Sequence, residues 1–160
     1  MLKGWLQQPD QFKHISIIEP AGLSPDIASS DLVSCHASLD AVLQSDAAPI
    51  DFVVLAVKPQ MMAEAIAPFG QIARDDIVFL SIAAGLSCDW ISLQLGGRGH
   101  IVRAMPNTPA SVGAGITAIY ASETIAEHQQ EFCVSLLHAV GEVIIIPDEE
   151  KMDAVTALSG

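Results

Sequence analysis

Residues 51–69 read DFVVLAVKPQMMAEAIAPF, and two periods meet inside them. The first part, 51–57, is apolar almost without interruption and rich in Val, which suits a strand buried on both faces. The second opens on Pro59, a residue at home in the first turn of a helix, and continues to 69 as a helical candidate. A strand, a Lys-Pro turn and a helix make one repeat of an α/β fold with a parallel sheet.

The same alternation runs outward in both directions. ISIIE (15–19), DIVFLSI (76–82) and HIVRAM (100–105) are short, nearly continuous apolar runs. SLDAVLQ (38–44), opening on Ser38, and SCDWISLQL (87–95), with Ser87 as an N-cap, are helical candidates between them. GITAIYA (115–121) follows, then 123–140, where Ile125, Phe132, Cys133, Leu136, Leu137 and Val140 share one helical face, and then a last strand, EVIIIP (142–147). Beyond Pro147, DEEKMDAVTALSG is acidic at first and apolar later, the pattern of a new helix. No repeat or low-complexity tract interrupts the order.

A chain of 160 residues that is 51% hydrophobic can bury a sizeable core as one domain. Its 19 acidic against 7 basic residues, net -12, argue against nucleic acid or an anionic membrane surface as a partner. No apolar run approaches the roughly 20 residues a membrane span needs. Cys35, Cys88 and Cys133 form no CxxC pair, so the sequence suggests neither a disulfide framework nor zinc, and a reducing cytoplasm is expected.

In an open parallel sheet, ligands bind beyond the carboxyl ends of the strands. The residues there are Glu19-Pro20, Lys58-Pro59, Ala83-Ala84-Gly85 and Met105-Pro106-Asn107-Thr108-Pro109. Small residues and prolines would make a smooth, rigid crevice in which a ligand meets the main chain. Glu19 reads either as a solvated carboxylate or as an acceptor for ribose hydroxyls. Lys58 reads either as a surface lysine or as the partner of an anionic ligand, since a cation is out of place at a helix N-terminus. The AAG turn alone also suits close helix–strand packing. His14, His36, His100, His128 and His138 lack metal-ligand spacing, so no metal is expected. Trp5, Trp90 and Met61-Met62 read as packing residues. No nucleophile elbow, P-loop or carboxylate pair is visible, and no catalytic side chain can be named.

With DFVVLAVKPQ, FLSIAAG, IVRAMPNTPASVGAG and DAVTALSG in this order and spacing, the chain closely resembles pyrroline-5-carboxylate reductase from about residue 3 to residue 160. The resemblance implies a Rossmann-like, doubly wound α/β domain over 1–147 that binds NADPH or NADH, followed by the first helix (148–160) of a helical domain that dimerises and completes the substrate site. Hydride would pass to the imine carbon of 1-pyrroline-5-carboxylate, giving L-proline. Carried over, Ala56, Val57, Lys58 and Pro59 would wrap the ribose and nicotinamide end, and Ile82, Ala83, Ala84 and Gly85 would line the same pocket. Met105, Pro106 and Asn107 would lie near the nicotinamide. Glu19, Pro20 and Ser38 complete the cofactor set, and Ser159-Gly160 begin the segment that holds the substrate carboxylate.

Family members open with a strand and a Gly-rich phosphate loop, whereas MLKGW matches the helix after that loop. A chain of this span is therefore expected to lack its first strand and to turn over poorly. A carboxylate at Glu19 leans toward NADH, because it would repel a 2′-phosphate. Two other functions fit the residues: a non-catalytic, Rossmann-derived interaction module, and a reductase of another imine or keto acid.

Overall fold

The computed structural model describes residues 1–45 and 49–159, which form two compact units, residues 2–49 and the chain from Ile50 onward. In the first, α1 (Leu2–Trp5) and a 3-10 turn (Pro9–Gln11) precede β1 (Ile15–Ile18), α2 (Pro25–Ala28), β2 (Val33–His36) and α3 (Leu39–Leu43). Strands β1 and β2 pair in parallel, Ile15 opposite Val33 and Ile18 opposite His36. Helix α3 starts where expected. Its N-cap Ser38 accepts a hydrogen bond from Ala41 N at 3.2 Å, and Leu39 and Val42 are buried. On one face of the ribbon, Ser34 Oγ lies 2.7 Å from both His14 Nε2 and His36 Nε2.

The second unit is built on a five-stranded sheet. Its strands are β3 (Phe52–Leu55), β4 (Val78–Ser81), β5 (His100–Pro106), β6 (Gly115–Ala121) and β7 (Gly141–Ile145), hydrogen-bonded in that order. Helices α4 (Met62–Ile66), α5 (Cys88–Gln94) and α6 (Glu127–His138) form the connections from β3 to β4, β4 to β5 and β6 to β7, whose strand pairs are parallel. The exception is β6, antiparallel to β5. Only residues 107–114 join these two strands. That is too short for a crossover, which takes a dozen or more residues, so the chain must turn back.

Burial follows the apolar runs. All four residues of β4 are buried, as a strand covered on both faces requires. On one face Phe79 joins Val53, Leu55 and Ile101 beneath Met62 and Ile66 of α4 and Ile91 of α5. Within α6, Cys133, Leu136 and Leu137 are buried, followed by Val140, and Phe132 meets Phe52 edge-on at 5.2 Å. The expected helix over 59–69 is shorter: a 3-10 turn (Pro59–Met61), α4, and a second 3-10 turn (Ala67–Gln71) that carries Pro68. Proline tolerates a first turn but not a helix interior, so α4 stops ahead of it.

Met61 is 56% exposed while Met62 is fully buried, so only the second of the pair is a core residue. Helix α7 (Lys151–Ser159) lies in the second unit, and its Met152 is buried. Among the described residues, no helix is long and apolar enough to cross a membrane.

Candidate functional site

Three of the predicted segments converge because of strand order. β3, β4 and β5 run parallel and side by side, so their carboxyl ends lie along one edge of the second unit. The residues that follow them, Ala56 to Pro59, Ile82 to Gly85 and Asn107, therefore line that edge together with Met105 and Pro106.

Each segment is shaped by local bonds. After β3, Lys58 is extended and exposed (φ -61°, ψ 145°), and its carbonyl accepts from Met61 N at 2.9 Å, so the chain enters the Pro59 turn directly. After β4, Ile82 N donates to Leu55 O at 3.1 Å and Ala83 N to Ser81 Oγ at 3.3 Å. Gly85 then takes φ +73°, and nothing lies within 4 Å of where its Cβ would stand. That left-handed turn, with open space where a side chain would stand, leaves the main chain accessible.

After β5, Asn107 bonds twice to β6: its backbone N donates to Ile116 O at 3.3 Å, and its Oδ1 accepts from Ile116 N at 2.9 Å. The side-chain oxygen thus helps to hold the loop onto β6. A 3-10 turn (Thr108–Val112) follows, ending at Gly113 with φ +75°. This turn sits directly on the sheet, since a Cβ at Gly115 would lie 2.6 Å from Ala110 Cα. The small residues after Asn107 thus serve close packing of the loop onto β6.

Beneath the edge lies a polar group that sequence reasoning missed. Ser81, Arg103 and Tyr120 are register partners across β4, β5 and β6. Arg103 is 5% exposed, and its Nη1 donates to Glu149 Oε1 at 2.8 Å. The same oxygen accepts from Cys88 N at 2.7 Å. Burial, with Glu149 adding to it, pushes the Cys88 thiol up to about 12, and burial raises the Tyr120 hydroxyl. The available signal was an Arg inside the apolar run HIVRAM, because a guanidinium so placed needs a carboxylate. Nothing in the pattern says which one, 46 residues away.

Glu19, Pro20 and Ser38 belong to the first unit. Glu19 is exposed just past β1, and its Oε1 accepts from Ala21 N at 3.0 Å, which closes a turn while leaving Oε2 free of that bond. Ser38 spends its oxygen on the α3 cap. Ser159 ends α7, and its side chain, like Gly160, lies outside the described residues. Among the described residues, no group of three or more His, Cys, Asp or Glu is placed to hold a metal ion.

No protein-family model matches the chain. It is 44% identical over 110 residues to a pyrroline-5-carboxylate reductase of Haemophilus influenzae, an alignment covering 69% of this chain and 41% of that protein. The fold superposes on a pyrroline-5-carboxylate reductase of Coxiella burnetii with a TM-score of 0.81 and 30% identity, over 99% of this chain and 58% of that one. It also superposes on the Plasmodium falciparum pyrroline carboxylate reductase solved with NADP bound, TM-score 0.75 and 21% identity, over 99% and 56%, a likeness of fold. The chain thus spans about half the length of the relatives it matches.

Proposed function

Since the chain belongs to the pyrroline-5-carboxylate reductase family, we propose that it carries part of an NAD(P)H site that serves reduction of 1-pyrroline-5-carboxylate to L-proline. One observation carries this reading: β3, β4 and β5 bring 56–59, 82–85 and 105–107 to one sheet edge, where dinucleotides bind in such folds. The residues fit a planar, anionic cofactor. Ala56 and Gly85 are small and exposed, space opens above Gly85, and Lys58 offers a solvent-facing cation.

When bound, the dinucleotide would supply a hydride. The protein's part is placement. Pro59 and Pro106 stiffen the two outer segments, Ser81 Oγ shapes the turn between them, and Ile116 holds Asn107 in place. A rigid frame of this kind lowers the cost of bringing ring and imine to reacting distance. No side chain is assigned proton transfer. Ser159 and Gly160 are proposed to begin the substrate-carboxylate segment, and Glu19 to meet a ribose diol in the manner that favours NADH. A second copy of the chain is the proposed partner of the whole protein, and the cytoplasm its compartment.

The test is amide exchange of the chain with and without saturating NADPH or NADH. Protection concentrated at 56–59, 82–85 and 105–107 is expected. Binding that leaves all three unprotected would defeat the assignment. Comparing the two cofactors on the unmodified chain and on Glu19→Ser tests the preference, which fails if the unmodified chain binds NADPH more tightly.

A further inference from the structure

We infer that Glu149 is a positioning residue that locks the loop after β4 to the loop after β5. A single carboxylate oxygen makes the junction. Glu149 Oε1 accepts from Arg103 Nη1 at 2.8 Å and from the backbone N of Cys88 at 2.7 Å. Arg103 lies two residues before Met105 on β5, and Cys88 is the first residue of α5, three after Gly85. The two anchors therefore flank 82–85 and 105–107, and the inference rests on reading those segments as the cofactor edge. Glu149 stands at the lead into α7, so the same contact sets where α7 departs from the sheet.

Energetics make the junction tight. Arg103 is 5% exposed, and its Nε is buried with no hydrogen-bond partner. Among the described residues, Glu149 is the acidic group in ion-pair contact with this guanidinium. A buried cation that loses its counter-charge is far costlier than one replaced by an apolar side chain, so the arrangement has one low-energy state. Side-chain exposure of 23% at Glu149 against 6% at Arg103 shows which side faces out.

The alternative is that the pair only adds stability, and the two roles separate by substitution. Glu149→Ala removes both acceptances. Arg103→Met with Glu149→Met removes the charges together and restores an apolar fill, but leaves Cys88 N without its acceptor. Glu149→Gln keeps an oxygen in place.

Amide exchange at 83–88 and 105–107 is measured without cofactor, alongside urea midpoints and NADPH affinity. Exchange in both segments is expected to rise at least tenfold in Glu149→Ala and in the double variant, even where the double variant's midpoint returns to the unmodified value. Glu149→Gln keeps the acceptor oxygen but strips Arg103 of its counter-charge, so its exchange should rise less than in Glu149→Ala while its urea midpoint still falls. NADPH should bind the first two at least tenfold more weakly. The inference is overturned if the double variant recovers slow exchange along with its midpoint, or if only one loop responds. If the unmodified chain fails to bind NADPH, the cofactor reading falls, while the exchange data still decide the coupling.

Discussion

Replacing Gly115 by Ala tests how closely the loop after β5 must lie on the sheet. The added Cβ would stand 2.6 Å from Ala110 Cα, 2.6 Å from its Cβ and 2.8 Å from its N. Carbon atoms rest about 3.5–4.0 Å apart, so the turn must retreat by roughly 1 Å. It is held down by Asn107 N to Ile116 O (3.3 Å), Ile116 N to Asn107 Oδ1 (2.9 Å) and Ala114 N to Pro109 O (3.1 Å).

Overpacking of this kind costs about 1–3 kcal/mol, and each bond strained adds about 0.5–1.5. Gly115 has no positive φ, so no backbone penalty enters, and loss of unfolded-state freedom returns about 0.5 kcal/mol. With the strain taken up by one of these bonds, mid-range values give a net loss of about 2–3 kcal/mol. At roughly 2–4 °C per kcal/mol for a chain of this size, Tm should fall by about 4–12 °C. Urea unfolding followed by Trp90 fluorescence in a Trp5→Phe background reports on the second unit alone. Adding Ala110→Gly should restore less than half, because two of the three close atoms belong to the backbone. A Gly115→Ala chain as stable as the unmodified one would refute this account of the loop.

Four further outcomes are expected. Cys35 is exposed and Cys88 and Cys133 are buried, so one thiol should react with a disulfide reagent in the native chain and two more only in denaturant; a second fast thiol would contradict the burial. Because burial lifts both inner thiols to about 12 from the ordinary 9.0, the unfolded chain loses those protons first; their contribution to stability is complete below pH 9 and declines toward pH 12, a decline that Cys133→Ala should flatten.

Lys3, 2.6 Å from Asp26, holds that carboxyl at about 2, below its usual 3.8, so the exposed pair favours the folded state above about pH 4 and stops doing so as pH falls through 2. Lys3→Met should return the Asp26 titration, followed by NMR, toward 3.8, and salt should weaken the shift. Ser87→Ala deletes the α5 cap, in which Ser87 Oγ accepts from Trp90 N at 3.1 Å, and should lower stability by about 1 kcal/mol; no change in urea midpoint would refute it.

Nearly continuous apolar runs made β1 and β3 to β5 legible, although only β4 is buried along its whole length and β1 has no buried residue. Strand β2 was not visible: VSCH mixes a serine and a histidine into four residues, and its pairing comes from β1. Helix α2 is a single turn whose Ser24-Pro25-Asp26 start resembles any turn. The direction of β6 required counting the loop, since its residues suit either orientation. At the site, the post-strand segments were found from position alone. Arg103 with Glu149, and Ala110 upon Gly115, were not, because each depends on what a distant segment places opposite.

The antiparallel step from β5 to β6 also bears on how the chain reaches its fold. Closing 107–114 fixes far less chain than closing 56–77 between β3 and β4, an entropic advantage of about 0.9 kcal/mol. The two bonds between Asn107 and Ile116 then seal the closure. The β5–β6 ribbon should therefore lead folding of the second unit, with β3 joining late. Accordingly, Ile119→Val should slow refolding, whereas Val53→Ala should chiefly hasten unfolding, and the reverse pattern would exclude this order. The loop assigned to the nicotinamide would then be among the first parts of the protein to take its final shape.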